Sequence, residues 1–132
     1  MTLKEIYQKG SSLEKILCIP YTDIIGNVFA SVAFQFKDTP HLCLGVDGDT
    51  DELFWSNDDD EKKSIFKELD CFIPSVKNCY GMHLAWSWEM ENQQGYFDAL
   101  QLEFMDLASM KGEIIQFKAM GSGIHVYRIV EE

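Results

Sequence analysis

Basic residues are scarce in this chain of 132 residues: 11 Lys and Arg stand against 22 Asp and Glu, a formal charge of -11. Binding to duplex nucleic acid needs a basic face that releases counterions, so the balance argues against it. Arg128 is the single arginine, which leaves almost no forked phosphate clamp. Long apolar runs are missing too. The longest uncharged stretch, residues 24–36, contains Gly26, Asn27, Ser31 and Gln35 and falls short of the ~20 residues of a membrane span. Met1-Thr2-Leu3-Lys4-Glu5 begins with charge and lacks the apolar core of a secretory signal. No C-x-x-C pair occurs, so Cys18, Cys43, Cys71 and Cys79 read as reduced thiols packed as small hydrophobes. The expectation is a soluble cytoplasmic protein with no membrane partner. Internal repeats, low-complexity tracts and linkers are also absent, which predicts a single domain over 1–132.

What is present is a core. The chain is 46% hydrophobic and 13% aromatic, enough to fold on its own at this length. Thr2 with Glu5 three residues on has capping-box spacing and predicts a short helix over 2–9, ended by Gly10. Strands are expected at Ile16–Ile19, Ile25–Lys37 and His41–Val46. The second of these alternates, with Val28, Ala30, Val32, Phe34 and Phe36 on one face. Acids at Asn57–Asp60 suit a helix N-terminus and predict a second helix running to about Leu69. Leu84, Trp86, Trp88 and Met90 share one face of a further strand, which places both tryptophans in the core. Tyr96–Phe104 returns from the turn at 92–95, with Asp98 the one polar residue on its apolar face. Ile114–Met120 and Ile124–Val130 form a last hairpin around Gly121-Ser122-Gly123. The fold class that follows is α+β, a largely antiparallel sheet of about six to seven strands with two short helices on one face.

No catalytic signature emerges. Cys71, Cys79 and His83 are an incomplete zinc set with irregular spacing. His125 has no nucleophile placed beside it by any motif. Asp47-x-Asp49-x-Asp51 matches the start of a calcium loop, but Glu52 stands where the sharp turn needs glycine, and Asp58 is too short for the bidentate last ligand. That segment instead predicts an Asx-type turn and a partner-binding surface. Between Asp47 and Glu61 lie eight acids and no base: Asp47, Asp49, Asp51, Glu52, Asp58, Asp59, Asp60 and Glu61. Trp55, close by, is the expected contact anchor. No cofactor, metal or enzymatic activity is expected.

Residues 34–56 read Phe-Gln-Phe-Lys-Asp-Thr-Pro-His-Leu-Cys-Leu-Gly-Val-Asp-Gly-Asp-Thr-Asp-Glu-Leu-Phe-Trp-Ser. A strand, a turn, a second strand and then Asp-Thr-Asp-Glu-Leu resembles small bacterial families, some of whose members sit beside toxins of contact-dependent growth inhibition. In size and acidity the whole chain is similar to the immunity proteins of such systems. The resemblance implies a role and no particular residues: tight binding to one cognate toxin domain, a basic nuclease. An acidic protein suits that role, since a nuclease surface is cationic and opposite charge speeds association. Two other classes stay open. One is an enzyme or small-ligand binder with a pocket between helices and sheet, for which Asp98 is the hint. The other is a housekeeping subunit that docks another protein.

Overall fold

The computed structural model describes residues 2–21, 27–57 and 65–129. Among the described residues, one α-helix, α1 (Leu3–Lys9), precedes nine strands: β1 (Leu13–Pro20), β2 (Val28–Phe36), β3 (Leu42–Asp47), β4 (Glu52–Asn57), β5 (Lys67–Glu68), β6 (His83–Glu91), β7 (Phe97–Met105), β8 (Gly112–Met120) and β9 (Gly123–Ile129). Every pairing is antiparallel. The class is α+β with an antiparallel sheet, as the sequence predicts. None of the described helices is long and apolar enough to cross a membrane.

Helix α1 begins as expected, with the Glu5 amide donating to Thr2 Oγ1 at 3.2 Å. Gly10, at φ 65, closes it by returning its N–H to the carbonyls of Ile6 and Tyr7. The second helix is where expectation and structure part. Residues 58–64, where it would begin, lie outside the described residues. Its predicted end is instead the short strand β5 followed by a 3-10 turn, Leu69–Cys71. Lys67 and Glu68 pair with Cys18 and Leu17, so backbone bonding to β1 overrides the helical charge pattern there.

The sheet runs β4-β3-β2-β9-β8-β7-β6, with β1 and β5 as a branch. It is curled into a half-barrel. Strand β1 pairs along residues 29–36 of β2. Each strand has only two edges, so β3 and β9 share the other one: β3 takes residues 31–34 and β9 takes 28–29. Phe34 of β2 meets Phe117 of β8 edge-to-face at 5.2 Å, and Phe36 lies 6.3 Å from Phe104 of β7. These four rings are fully buried and fill the concave side. Burying such a side chain is worth about 2–3 kcal/mol relative to leaving it in water.

Four bulges bend the strands, and two of them decide which residues face inward. Phe29 pairs with Pro20 and Ser31 with Ile19, which leaves Ala30 as an extra residue in β2. The alternation inverts there, so Phe29 is buried in place of Val28 and Ala30. In β6, Leu84 pairs with Phe104 and Trp86 with Glu103, which makes Ala85 the extra residue. Leu84 stays in the core, while Trp86 and Trp88 turn outward, 56% and 40% exposed. The sequence pattern put both in the core. Asp98 is likewise a bulge residue, between Phe97 and Ala99 in β7.

Candidate functional site

The acidic segment is held by its own side chains. Asp47 Oδ1 accepts the Asp49 amide at 2.9 Å, an Asx turn, and the Asp51 amide donates to the Asp47 carbonyl at 2.9 Å. Asp51 sits in the left-handed region at φ 55. Its carboxylate accepts the Ser122 amide at 2.7 Å and the Gly121 amide at 3.3 Å, while Ser122 Oγ donates to the Gly48 carbonyl at 3.0 Å. Gly121 and Ser122 both have positive φ, 58 and 64, the geometry of a two-residue hairpin turn whose amides are left over from the ladder. Asp51 therefore closes the β8–β9 turn onto the β3–β4 loop and is spent on structure. Asp47 and Asp49 remain exposed, and Glu52 is half-buried. Asp58, Asp59, Asp60 and Glu61 lie outside the described residues.

Trp55 does not project beside these acids. It pairs with Leu44, leans on Phe34 at a ring distance of 6.2 Å, and donates its indole N–H to Glu89 Oε1 at 3.0 Å. It is a half-buried clasp between β4 and β6. Its neighbour Phe54, on the opposite side of β4, is the exposed ring.

The tryptophans that do reach solvent lie on the β6–β7 hairpin. Trp86 and Trp88 have ring centroids 6.3 Å apart, tilted by 56°. Trp86 stands opposite Glu103 and Trp88 opposite Gln101, whose amide donates to Gln116 at 2.7 Å. Residues 83–105 carry Glu89, Glu91, Asp98 and Glu103 and no lysine or arginine. A groove of about 210 Å³ runs from Trp86 to α1, lined by Leu3, Lys4, Tyr7 and Leu84. It continues past Ser87 toward Trp55 and Glu89. A period-2 reading misses this surface because the bulge at Ala85 is silent in the pattern. The absence of bases across the hairpin was the available signal.

His125, His41 and Asp98 are engaged by structural partners, whereas the buried Nδ1 of His83 has no hydrogen-bond partner among the described residues. His125 Nε2 donates to the Met120 carbonyl at 3.2 Å, and His41 Nε2 lies 3.1 Å from Gln35 Oε1. Asp98 accepts from Asn92 Nδ2 at 3.4 Å in the hairpin turn. Burial pushes the thiols of Cys18 and Cys79 up to about 12, so both stay protonated and unreactive at neutral pH. Among the described residues, the metal-capable groups brought within 4.8 Å of one another are Glu68, Asp70 and Cys71, rather than Cys71, Cys79 and His83. Asp70 is already engaged, accepting the Tyr80 hydroxyl at 3.0 Å with Lys77 Nζ at 3.5 Å.

A sequence family matches residues 3–131 of the chain. The chain belongs to DUF6334, a family of unknown function. Comparison with curated proteins and with solved structures finds no match. What the DUF6334 chain does is therefore argued from its own side chains, above all its exposed acids and two exposed tryptophans.

Proposed function

We propose that this DUF6334 protein is an immunity protein: a stoichiometric binder that neutralises a basic bacterial toxin domain, a nuclease, in the cytoplasm where such a toxin acts. The observation that carries the reading is the pairing of a net charge of -11 with solvent-facing Trp86 and Trp88 on a hairpin that has acids only. Opposite charge steers a cationic partner into contact and raises the association rate. Large aromatics then supply the desolvated anchors that slow dissociation. An outward-facing tryptophan pair leaves apolar surface in water that an inward-facing pair would bury, and such patches mark interaction sites.

The test is a growth assay. Proteins encoded beside the gene are expressed singly and together with this chain. The expected result is that one of them arrests growth alone, is basic, and is relieved by co-expression through a one-to-one complex. If every neighbour is harmless alone, or its toxicity is unchanged by this chain, the reading is wrong. A housekeeping docking role then becomes the better account.

A further inference from the structure

We infer that the basic partner is seated on the outer face of the β6–β7 hairpin and the adjoining α1 groove, through a segment that places arginine or lysine over Trp86 and Trp88 and an apolar side chain in the groove. The inference rests on the immunity reading and names the surface that would serve it.

Two independent observations converge here. The first is the bulge at Ala85, without which Trp86 and Trp88 would follow Leu84 into the core. A one-residue insertion re-aims both side chains outward, and bulges are a recurrent device for aiming side chains at a site. The second is charge. Cations are attracted to the indole face, tryptophan being the strongest of the aromatic partners, and a carboxylate at the same place adds to the pull. Glu103 stands directly across from Trp86 on the same face, while Glu89, opposite buried Leu100 and bonded to Trp55, borders the groove from the other side of β6. Bases near this surface include Lys4 on the groove wall, Lys118 on the outer row that runs from Met90 through Ala99 to His125, and Arg128, which lines a cavity with Glu103 and is paired with Glu113. The groove, about 210 Å³ with Leu3, Leu84 and Tyr7 in its wall, has room for one large apolar side chain. A run of pure positive charge would leave that groove unfilled. A segment mixing Arg with Leu or Phe matches both halves of the surface.

The probe is a capped peptide of four Arg-Leu repeats, titrated into the intact protein at low salt, with a Glu-Leu peptide as comparison. Nuclear magnetic resonance follows the three indole N–H signals. The expected result is that Trp86 and Trp88 shift with the Arg-Leu peptide, Trp55 shifts least, and Glu-Leu moves none. Trp86→Ala with Trp88→Ala should weaken binding about tenfold or more. Glu103→Gln should weaken it severalfold and flatten its salt dependence. Asp47→Asn with Asp49→Asn should leave it within about twofold. Single Trp86→Gln and Trp88→Gln variants serve if the double variant melts early. Unchanged affinity in the tryptophan variants, or a loss confined to the Asp47 and Asp49 variant, overturns the placement and leaves the immunity reading standing. A wild-type protein that ignores the peptide overturns it too. Failure of the growth assay removes the immunity reading itself, whichever way the peptide behaves.

Discussion

Replacing Asp51 should separate the one structural acid of the β3–β4 loop from its exposed neighbours. Its carboxylate holds the Ser122 and Gly121 amides, at 2.7 and 3.3 Å. Hydrogen bonds to a charged group contribute about 1.5–3 kcal/mol, and here one is short and the other long. Asp51→Ala loses both and leaves the half-buried Ser122 amide without an acceptor. Aspartate and alanine carry the same Cβ, so the left-handed backbone at φ 55 adds little to the difference, and the loss comes from the two hydrogen bonds. The expected loss is about 3 kcal/mol. For a chain of 132 residues that lowers the melting midpoint by about 10 °C. Asp51→Asn keeps one acceptor oxygen and tolerates the left-handed backbone, so it should lose about 1 kcal/mol. Asp49→Ala, at an exposed position, should stay within about 0.5 kcal/mol. Thermal melts followed by circular dichroism decide it. If Asp51→Ala and Asp49→Ala melt together, the carboxylate is not holding the turn and the reasoning fails.

Tyr80 bridges two elements, its hydroxyl donating to Asp70 at 3.0 Å and accepting the Ile16 amide at 3.2 Å. Tyr80→Phe should therefore cost about 2–3 kcal/mol in urea unfolding, with Asp70→Asn milder because it keeps an acceptor. Only Cys71 of the four thiols is exposed, so a thiol reagent at pH 8 should label one group quickly and four after denaturation. Stability should also fall in alkali. Burial raises the Cys18 and Cys79 thiols from 9.0 to about 12, so between those values the unfolded chain releases protons that the folded one keeps. Their contribution is complete below pH 9.0 and lost as pH rises toward about 12. Burial pushes the Tyr80 phenol in the same direction. Cys18→Ala with Cys79→Ala should flatten that decline, and an unchanged slope would refute the assignment.

The hairpins were legible because turn chemistry and alternation are local. Gly121-Ser122 and residues 92–95 mark the turns, and Leu100, Leu102 and Phe104 fall on the buried face as their spacing requires. The inversions at Ala30 and Ala85 were not legible. A bulge adds one residue without any distinctive side chain, and a single added residue moves everything after it to the other face. Strand β4 was hidden for another reason: Leu53-Phe54-Trp55 is too short to alternate convincingly, and pairing with β3 fixes it. The candidate site was half legible. The Asx turn at Asp47 is written locally, but the partner of Asp51 lies 71 positions away, which no local pattern encodes. Trp55 looked exposed beside its acids, yet Glu89, from a strand far along the chain, claims its indole.

The shared edge of β2 has a temporal consequence. On the edge away from β1, residues 28 and 29 of β2 gain their partners, His125 and Ile124, only when the last strand arrives. During synthesis the ribosome delivers β1 to β4 long before β9, so the early meander carries an unfinished seam next to the completed β3 pairing. Closing so long a loop is slow, and folding dominated by distant pairings runs on the scale of milliseconds to seconds. Until β9 docks, Phe29 and its neighbours offer a free backbone edge to any other extended chain. High expression at elevated temperature should accordingly favour inclusion bodies over soluble protein, whereas slower translation should give β9 time to seal the seam.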